Sequence, residues 1–228
     1  MKFLLTSSGI CNPSISDALV NLLGKPIAES TALFIPTGVY PFSGGGERAW
    51  KAIHGQASIP LCQLGWKSLG MLELTALPTI REENWVPAVR EADALLVWGG
   101  DVLYLTYWLR QSGLADLLPS LSDTVYIGVS AGSIAVTPYN CDAEFNLGFV
   151  PDGSNMAQGA DRALGLVDFT RYPHLNHPDI EDAELSNIQK WASEIPVPTY
   201  AIDDNTAIKV VDGTVDIISE GDWRLINP

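Results

Sequence analysis

Residues 125–135 read Val-Tyr-Ile-Gly-Val-Ser-Ala-Gly-Ser-Ile-Ala, and this stretch sets the expectation for the whole chain. Val125 to Val129 is almost wholly β-branched or aromatic, the composition of a short strand buried on both faces. Gly128-Val129-Ser130-Ala131-Gly132 then gives the Gly-x-Ser-x-Gly spacing, and Ala131 to Ala135 can begin a helix. A serine at such an elbow sits in a strained backbone conformation, which demands small neighbours where larger side chains would clash. The helix N-terminus also turns backbone N–H groups toward a developing oxyanion. Ser130 is therefore read as a nucleophile. The plain alternative is a Gly-Ser turn that closes a strand onto a helix.

Working outward, residues 2–6, 31–35 and 94–98 are similar apolar runs, each followed by a stretch with helical spacing. The helices expected are 14–23, with Ser14 or Ser16 as cap, 83–92, and 103–111 closing at Gly113. This alternation predicts an α/β fold with a mostly parallel sheet flanked by helices. The last third differs: a helix over 179–193, then strands at 199–202, 207–211 and 215–219, with Asp212-Gly213 as a tight hairpin turn. No repeat or linker interrupts the chain, so residues 1–228 are expected to form one domain. Ser43-Gly44-Gly45-Gly46 reads as a mobile loop, and 41–48 as a candidate lid on glycine content.

The net charge of −14 argues against nucleic acid and anionic membrane surfaces as partners. It also makes the thirteen Lys and Arg informative, because a site for an acidic substrate must draw on them. Cys11, Cys62 and Cys141 are odd in number and lack C-x-x-C pairing, which points to reduced thiols, no zinc site and a cytoplasmic location. The apolar start, Met1 to Leu5, stops at Thr6-Ser7-Ser8, too short for a signal peptide, and no run reaches membrane-spanning length.

A nucleophilic serine needs a base, and the chain offers His54, His174 and His177. His54 lies in a polar, helix-like stretch. His174 and His177 lie in a proline-bounded loop, residues 171–178, and His-x-x-His without an organised third ligand is a poor metal signature. The carboxylate candidates are Asp142, Glu144, Asp203 and Asp204, of which Asp203 follows an apolar run at a strand's C-terminal end. Trp98-Gly99-Gly100-Asp101 is a second small-residue turn; its glycines can supply one oxyanion donor and Ala131 the other. Asp101 is also placed to cap the next helix. The Walker and Rossmann phosphate patterns are both incomplete.

Taken in order, Phe34-Ile35-Pro36-Thr37, Gly99-Gly100-Asp101, Gly128-Val129-Ser130-Ala131-Gly132, Tyr172-Pro173-His174 and Ile202-Asp203-Asp204-Asn205 make the chain resemble the dipeptidase E group of peptidase family S51. That family includes aspartyl dipeptidases and, more distantly, cyanophycinases. The resemblance implies a fold like the class I glutamine amidotransferases, with Ser130 as nucleophile, His174 as base and no cofactor. For the acid it implies either Asp142 or Glu144, soon after the nucleophile, or Asp203 on a later strand; strand-end context favours Asp203. The sequence departs from the family at Asp101, where many members carry Asn, and at Val129, where an aromatic is frequent.

The implied activity is hydrolysis of a small peptide with N-terminal aspartate. Arg171 and then Arg162 are the candidates for holding its carboxylate, and Asp101 or Glu144 for its amine. The expected partner is the peptide substrate, with a homodimer permitted. An esterase or amidase, a cyanophycinase-like peptidase and a non-catalytic binding relic are the rival readings.

Overall fold

Leu4 and Leu5 are neighbours on one strand, yet each is fully buried, in a different apolar cluster. Successive side chains of a strand point to opposite faces, so a sheet whose central strands show this pattern must be covered on both sides. The computed structural model, which describes residues 1–141, 147–151 and 161–228, has that arrangement.

The main sheet comprises β1 (Lys2–Thr6), β2 (Thr31–Ile35), β3 (Ser68–Met71), β4 (Ala94–Val97), β5 (Val125–Val129), β8 (Thr206–Val211) and β9 (Thr214–Ser219). Its order is β3-β2-β4-β5-β1-β8-β9: the first five strands are parallel, and β8 and β9 close the edge as antiparallel additions. A smaller sheet, in the order β10-β7-β6, holds β6 (Thr170–Tyr172), β7 (Thr199–Ile202) and β10 (Trp223–Ile226). Helices α1 (Pro13–Leu23) and α2 (Gly45–Ile53) pack on one face of the main sheet. Helices α3 (Val86–Glu91), α4 (Val102–Gln111) and α5 (Leu114–Leu117) pack on the other. The short α6 (Ala131–Ile134) follows β5, and α7 (Leu185–Ala192) precedes β7.

The α/β architecture and the C-terminal hairpin match expectation. Val211 pairs with Thr214 across Asp212 and Gly213, whose φ values of 49° and 78° are both left-handed, as a two-residue type I′ turn requires. Three strands were not expected. β3 is an edge strand interrupted by Gly70, β6 has only three residues, and most of β10 is exposed, so none carries a buried-strand pattern. Asn12, rather than Ser14 or Ser16, caps α1, its side chain accepting from Ile15 N at 2.9 Å. One of the 41–48 glycines also has a packing role. A Cβ on Gly45 would lie 2.2 Å from Val39 O, so this glycine permits a close approach and opens α2.

The elbow is built by two further close approaches. A Cβ on Gly132 would lie 2.1 Å from Val97 O, and one on Gly128 would lie 2.7 Å from Ser133 N. Both sites face backbone, which cannot move aside cheaply. Gly132→Ala is expected to cost about 3 kcal/mol or more, read as a lowered urea midpoint with unchanged slope.

Candidate active site

In the parallel part of the main sheet, the turns after β1, β4 and β5 meet at the strands' C-terminal ends, the usual location for a site in an open α/β sheet. Ser130 stands at the end of β5 with φ 48° and ψ −115°, a conformation rare for a residue with a Cβ. Its N–H donates to Thr6 O at 2.9 Å, and its carbonyl accepts from Ser133 N (2.9 Å) and Ile134 N (3.2 Å). Tyr126, fully buried beneath, donates its hydroxyl to Gly132 O at 2.6 Å. The strain is thus held by bonds on both sides of the serine.

His174 lies beyond β6 with φ 59°, and its Nε2 is 3.1 Å from Ser130 Oγ. Its Nδ1 is 2.6 Å from Asp204 Oδ1. Hydroxyl, imidazole and carboxylate therefore stand in series, the third group positioned to fix the ring's tautomer. The bond from His174 holds the Asp204 carboxyl below its ordinary pKa; the imidazole's charge, a bond from Ser8 and the His177 charge add to this, against an opposing effect of burial.

The sequence favoured Asp203 for this position, but the carboxylate that the structure places against His174 is that of its neighbour Asp204. Asp203 Oδ1 accepts from Asn205 N (3.0 Å) and Thr206 Oγ1 (2.7 Å), and Oδ2 accepts from Asp222 N (2.7 Å). It ties the β7–β8 turn to the segment entering β10, and both of its oxygens are engaged there. The legible signal was Asp-x-Asn-Thr: a carboxylate two residues before Asn and three before Thr satisfies local backbone and hydroxyl donors, leaving the following aspartate for other work. The other two acid candidates, Asp142 and Glu144, lie outside the described residues.

Arg171 does not face the pocket. Its side chain is fully buried under the elbow, with Nη1 donating to Thr6 O (3.1 Å) and Ser130 O (3.3 Å) and Nη2 to Ser7 Oγ (3.0 Å). Ser7 Oγ also accepts the His174 N–H at 3.1 Å and donates to Ile202 O at 3.3 Å. One guanidinium therefore braces β1, the nucleophile's turn and the histidine's loop. Burial lowers its pKa to about 10, opposed by the charges of Cys141 and Asp204, so it remains a cation at neutral pH.

Arg162 is half-exposed, 4.2 Å from the centre of the Tyr139 ring and 3.4 Å from Asp161, and it does not line the pocket beside Ser130. Asp101 is a buried cap, its Oδ1 accepting from Tyr104 N at 2.7 Å, and it too is absent from that lining. His54 caps α2 and stacks on Trp50, and His177 Nε2 is 3.9 Å from Asp204 Oδ2.

The pocket beside Ser130 measures about 200 Å³. Gly100 and Ala131, the two expected oxyanion donors, both line it. Gly100 has φ 134°, and a Cβ there would lie 2.0 Å from Gly38 O, so only glycine brings this backbone against the β2 turn. The rest of the wall is Val102, Ile134, Cys141, Tyr172, Pro173 and Ile180, with Asp182 as its outlying acid. Among the described residues no group of three or more side chains is arranged to hold a metal ion, and no helix is long and apolar enough to cross a membrane.

A mostly parallel α/β sheet with a strained serine elbow, an imidazole and a carboxylate in series defines a protein of the hydrolase class. The chain belongs to peptidase family S51, whose family model matches residues 3–218. It is 26% identical over 213 residues to an uncharacterized peptidase of Listeria monocytogenes serovar 1/2a, covering 90% of this chain and 92% of that protein. Two solved structures share the fold at 21% identity. One, from L. monocytogenes EGD-e and provisionally named a peptidase E, aligns with TM-score 0.63 over 96% of this chain and 98% of its own. The other, a peptidase from an acI-B1 actinobacterium, aligns with TM-score 0.65 over 99% and 90%. The protein is thus a peptidase of this family.

Proposed function

We propose that this peptidase is of the serine type and acts on small peptides through Ser130, His174 and Asp204. The observation that carries the reading is the series of contacts from Ser130 Oγ through His174 to Asp204, at 3.1 and 2.6 Å. His174 Nε2 takes the Ser130 hydroxyl proton as Oγ bonds to the substrate's carbonyl carbon. Charge on the carbonyl oxygen is met by the Gly100 and Ala131 N–H groups. The imidazolium then gives its proton to the amide nitrogen, and the C–N bond breaks. A water, deprotonated by His174, attacks the ester carbon, and the C–Oγ bond breaks as the serine regains its proton. The reaction as written uses the chain's own groups and one water.

A pocket of about 200 Å³ suits the end of a short peptide, which supports a dipeptidase. The three widely spaced cysteines support a cytoplasmic setting. An N-terminal aspartate, as the family resemblance implies, requires a cation where its carboxylate would sit, and the composition of the pocket bears directly on that point.

The reading is tested by treating the protein with a fluorophosphonate and locating the adduct by peptide mass mapping, alongside turnover of dipeptides and a p-nitrophenyl ester. A stoichiometric adduct on Ser130, with dipeptide turnover abolished in step with labelling, is expected. An unlabelled Ser130, or turnover that survives full labelling, overturns the serine mechanism. Ester turnover without peptide turnover would reassign the site to an esterase.

A further inference from the structure

We infer that the residue on the acyl side of the cleaved bond is apolar rather than acidic, with its free amino group set against Asp182; this rests on Ser130 being the nucleophile. All thirteen Lys and Arg lie among the described residues, and none lines the pocket beside Ser130. Residues 142–146 and 152–160 contribute Asp142, Glu144 and Asp152 to the chain's composition but no Lys or Arg. Between Ser130 and His174 the cations are Arg162, engaged with Tyr139 and Asp161, and Arg171.

Arg171 is the nearest cation to the reacting groups, yet it is 0% exposed and three acceptors hold its two terminal nitrogens. Its Nε is enclosed as well, without a partner among the described residues. A substrate carboxylate entering this pocket would lose its water and meet no accessible cation, which is unfavourable. It would instead share the space with Asp182 and lie near the ionised Asp204, which repel it.

An apolar side chain meets the opposite situation. Val102, Ile134 and Tyr172 form a continuous apolar surface at the pocket, backed by Trp191, whose ring meets Tyr172 edge-on at 5.6 Å. Ile180, also lining the pocket, is 37% exposed, an aliphatic side chain left open where a ligand would cover it. Asp182, two residues on, is exposed and makes no hydrogen bond or ion pair among the described residues. An apolar wall beside one unengaged carboxylate matches a residue with an aliphatic or aromatic side chain and a positive amino terminus, and mismatches aspartate.

The test compares kcat/KM of the full chain on Leu-Leu, Asp-Leu and N-acetyl-Leu-Leu. Leu-Leu is expected to exceed Asp-Leu by about tenfold or more, and acetylation to lower kcat/KM by a similar factor. Asp182→Asn is expected to raise KM for Leu-Leu by roughly 3- to 10-fold with kcat within about twofold, since the contact is made equally in ground and transition states. Ile180→Arg, which brings a cation to the pocket, is expected to shift the ratio toward Asp-Leu. Asp-Leu turned over as well as Leu-Leu, or better, overturns the inference. Loss of an Asp-Leu preference in Arg171→Met would transfer specificity to that guanidinium and overturn it equally. If Ser130 takes the fluorophosphonate but neither free dipeptide is cleaved, the substrate inference alone fails; if Ser130 is not labelled, the serine mechanism fails with it.

Discussion

Asp204→Asn is expected to lower kcat by roughly 10³- to 10⁴-fold while leaving the fold intact, because an amide at this position presents the imidazole with the wrong hydrogen-bonding partner. The 2.6 Å contact with His174 Nδ1 is the structural basis. Asp203→Asn supplies the contrast. That carboxylate accepts three local bonds, from Asn205, Thr206 and Asp222, and does not line the pocket beside Ser130. Its loss should cost about 1–3 kcal/mol of stability with kcat per folded molecule within about fivefold. Steady-state kinetics beside urea unfolding separates the two outcomes. The reverse pattern, with Asp203→Asn inactive and Asp204→Asn active, would return the acid to Asp203.

The same carboxylate predicts a pH effect on stability. Asp204 has a folded-state pKa below its ordinary value, so its contribution is present above the unfolded pKa and is lost as pH falls through the folded one. The Tm advantage of wild type over Asp204→Asn should therefore shrink on acidification below about pH 4.

Arg171→Met is expected to lower kcat by about 10- to 100-fold with little change in stability. Two effects oppose each other in the fold. Three charge-assisted hydrogen bonds disappear, worth about 1.5–3 kcal/mol each, but so does the cost of holding a cation wholly out of water, several kcal/mol in itself. The carbonyls left behind keep partners: Thr6 O still accepts from Ser130 N and Ser133 Oγ, and Ser130 O from Ser133 N and Ile134 N. Activity has no such compensation, because the guanidinium couples the turn bearing Ser130 to Ser7, which holds the His174 backbone. Misplacing two reacting groups by a fraction of an ångström affects rate far more than stability. Urea midpoints together with kcat per fluorophosphonate-titrated site provide the check. An unchanged kcat per site would reduce Arg171 to a packing role.

How much of this was legible in sequence follows from the range of the interactions. The buried strands announce themselves through unbroken apolar runs, since both faces of the sheet are covered and neither needs polar residues. Asp212-Gly213 announces the hairpin because its turn requires left-handed backbone at both positions. β3, β6 and β10 carry no comparable pattern, being short, exposed or interrupted, and depend on neighbouring strands to form. In the site, Ser130 was readable because the elbow's glycines follow from local sterics. His174 was readable only as one of three histidines until the motif around it was recognised.

The sequence alone determined the elbow, the sheet type, the hairpin and the scarcity of cations, all properties of local backbone chemistry or composition. The tertiary structure alone decided which of two adjacent aspartates reaches the imidazole, and that Arg171 braces the elbow from below and leaves the pocket without an exposed cation. Those choices depend on which way a side chain turns at a strand end and on what lies across the sheet. Residues far apart in sequence, such as Ser7 and His174, meet only when the chain has folded.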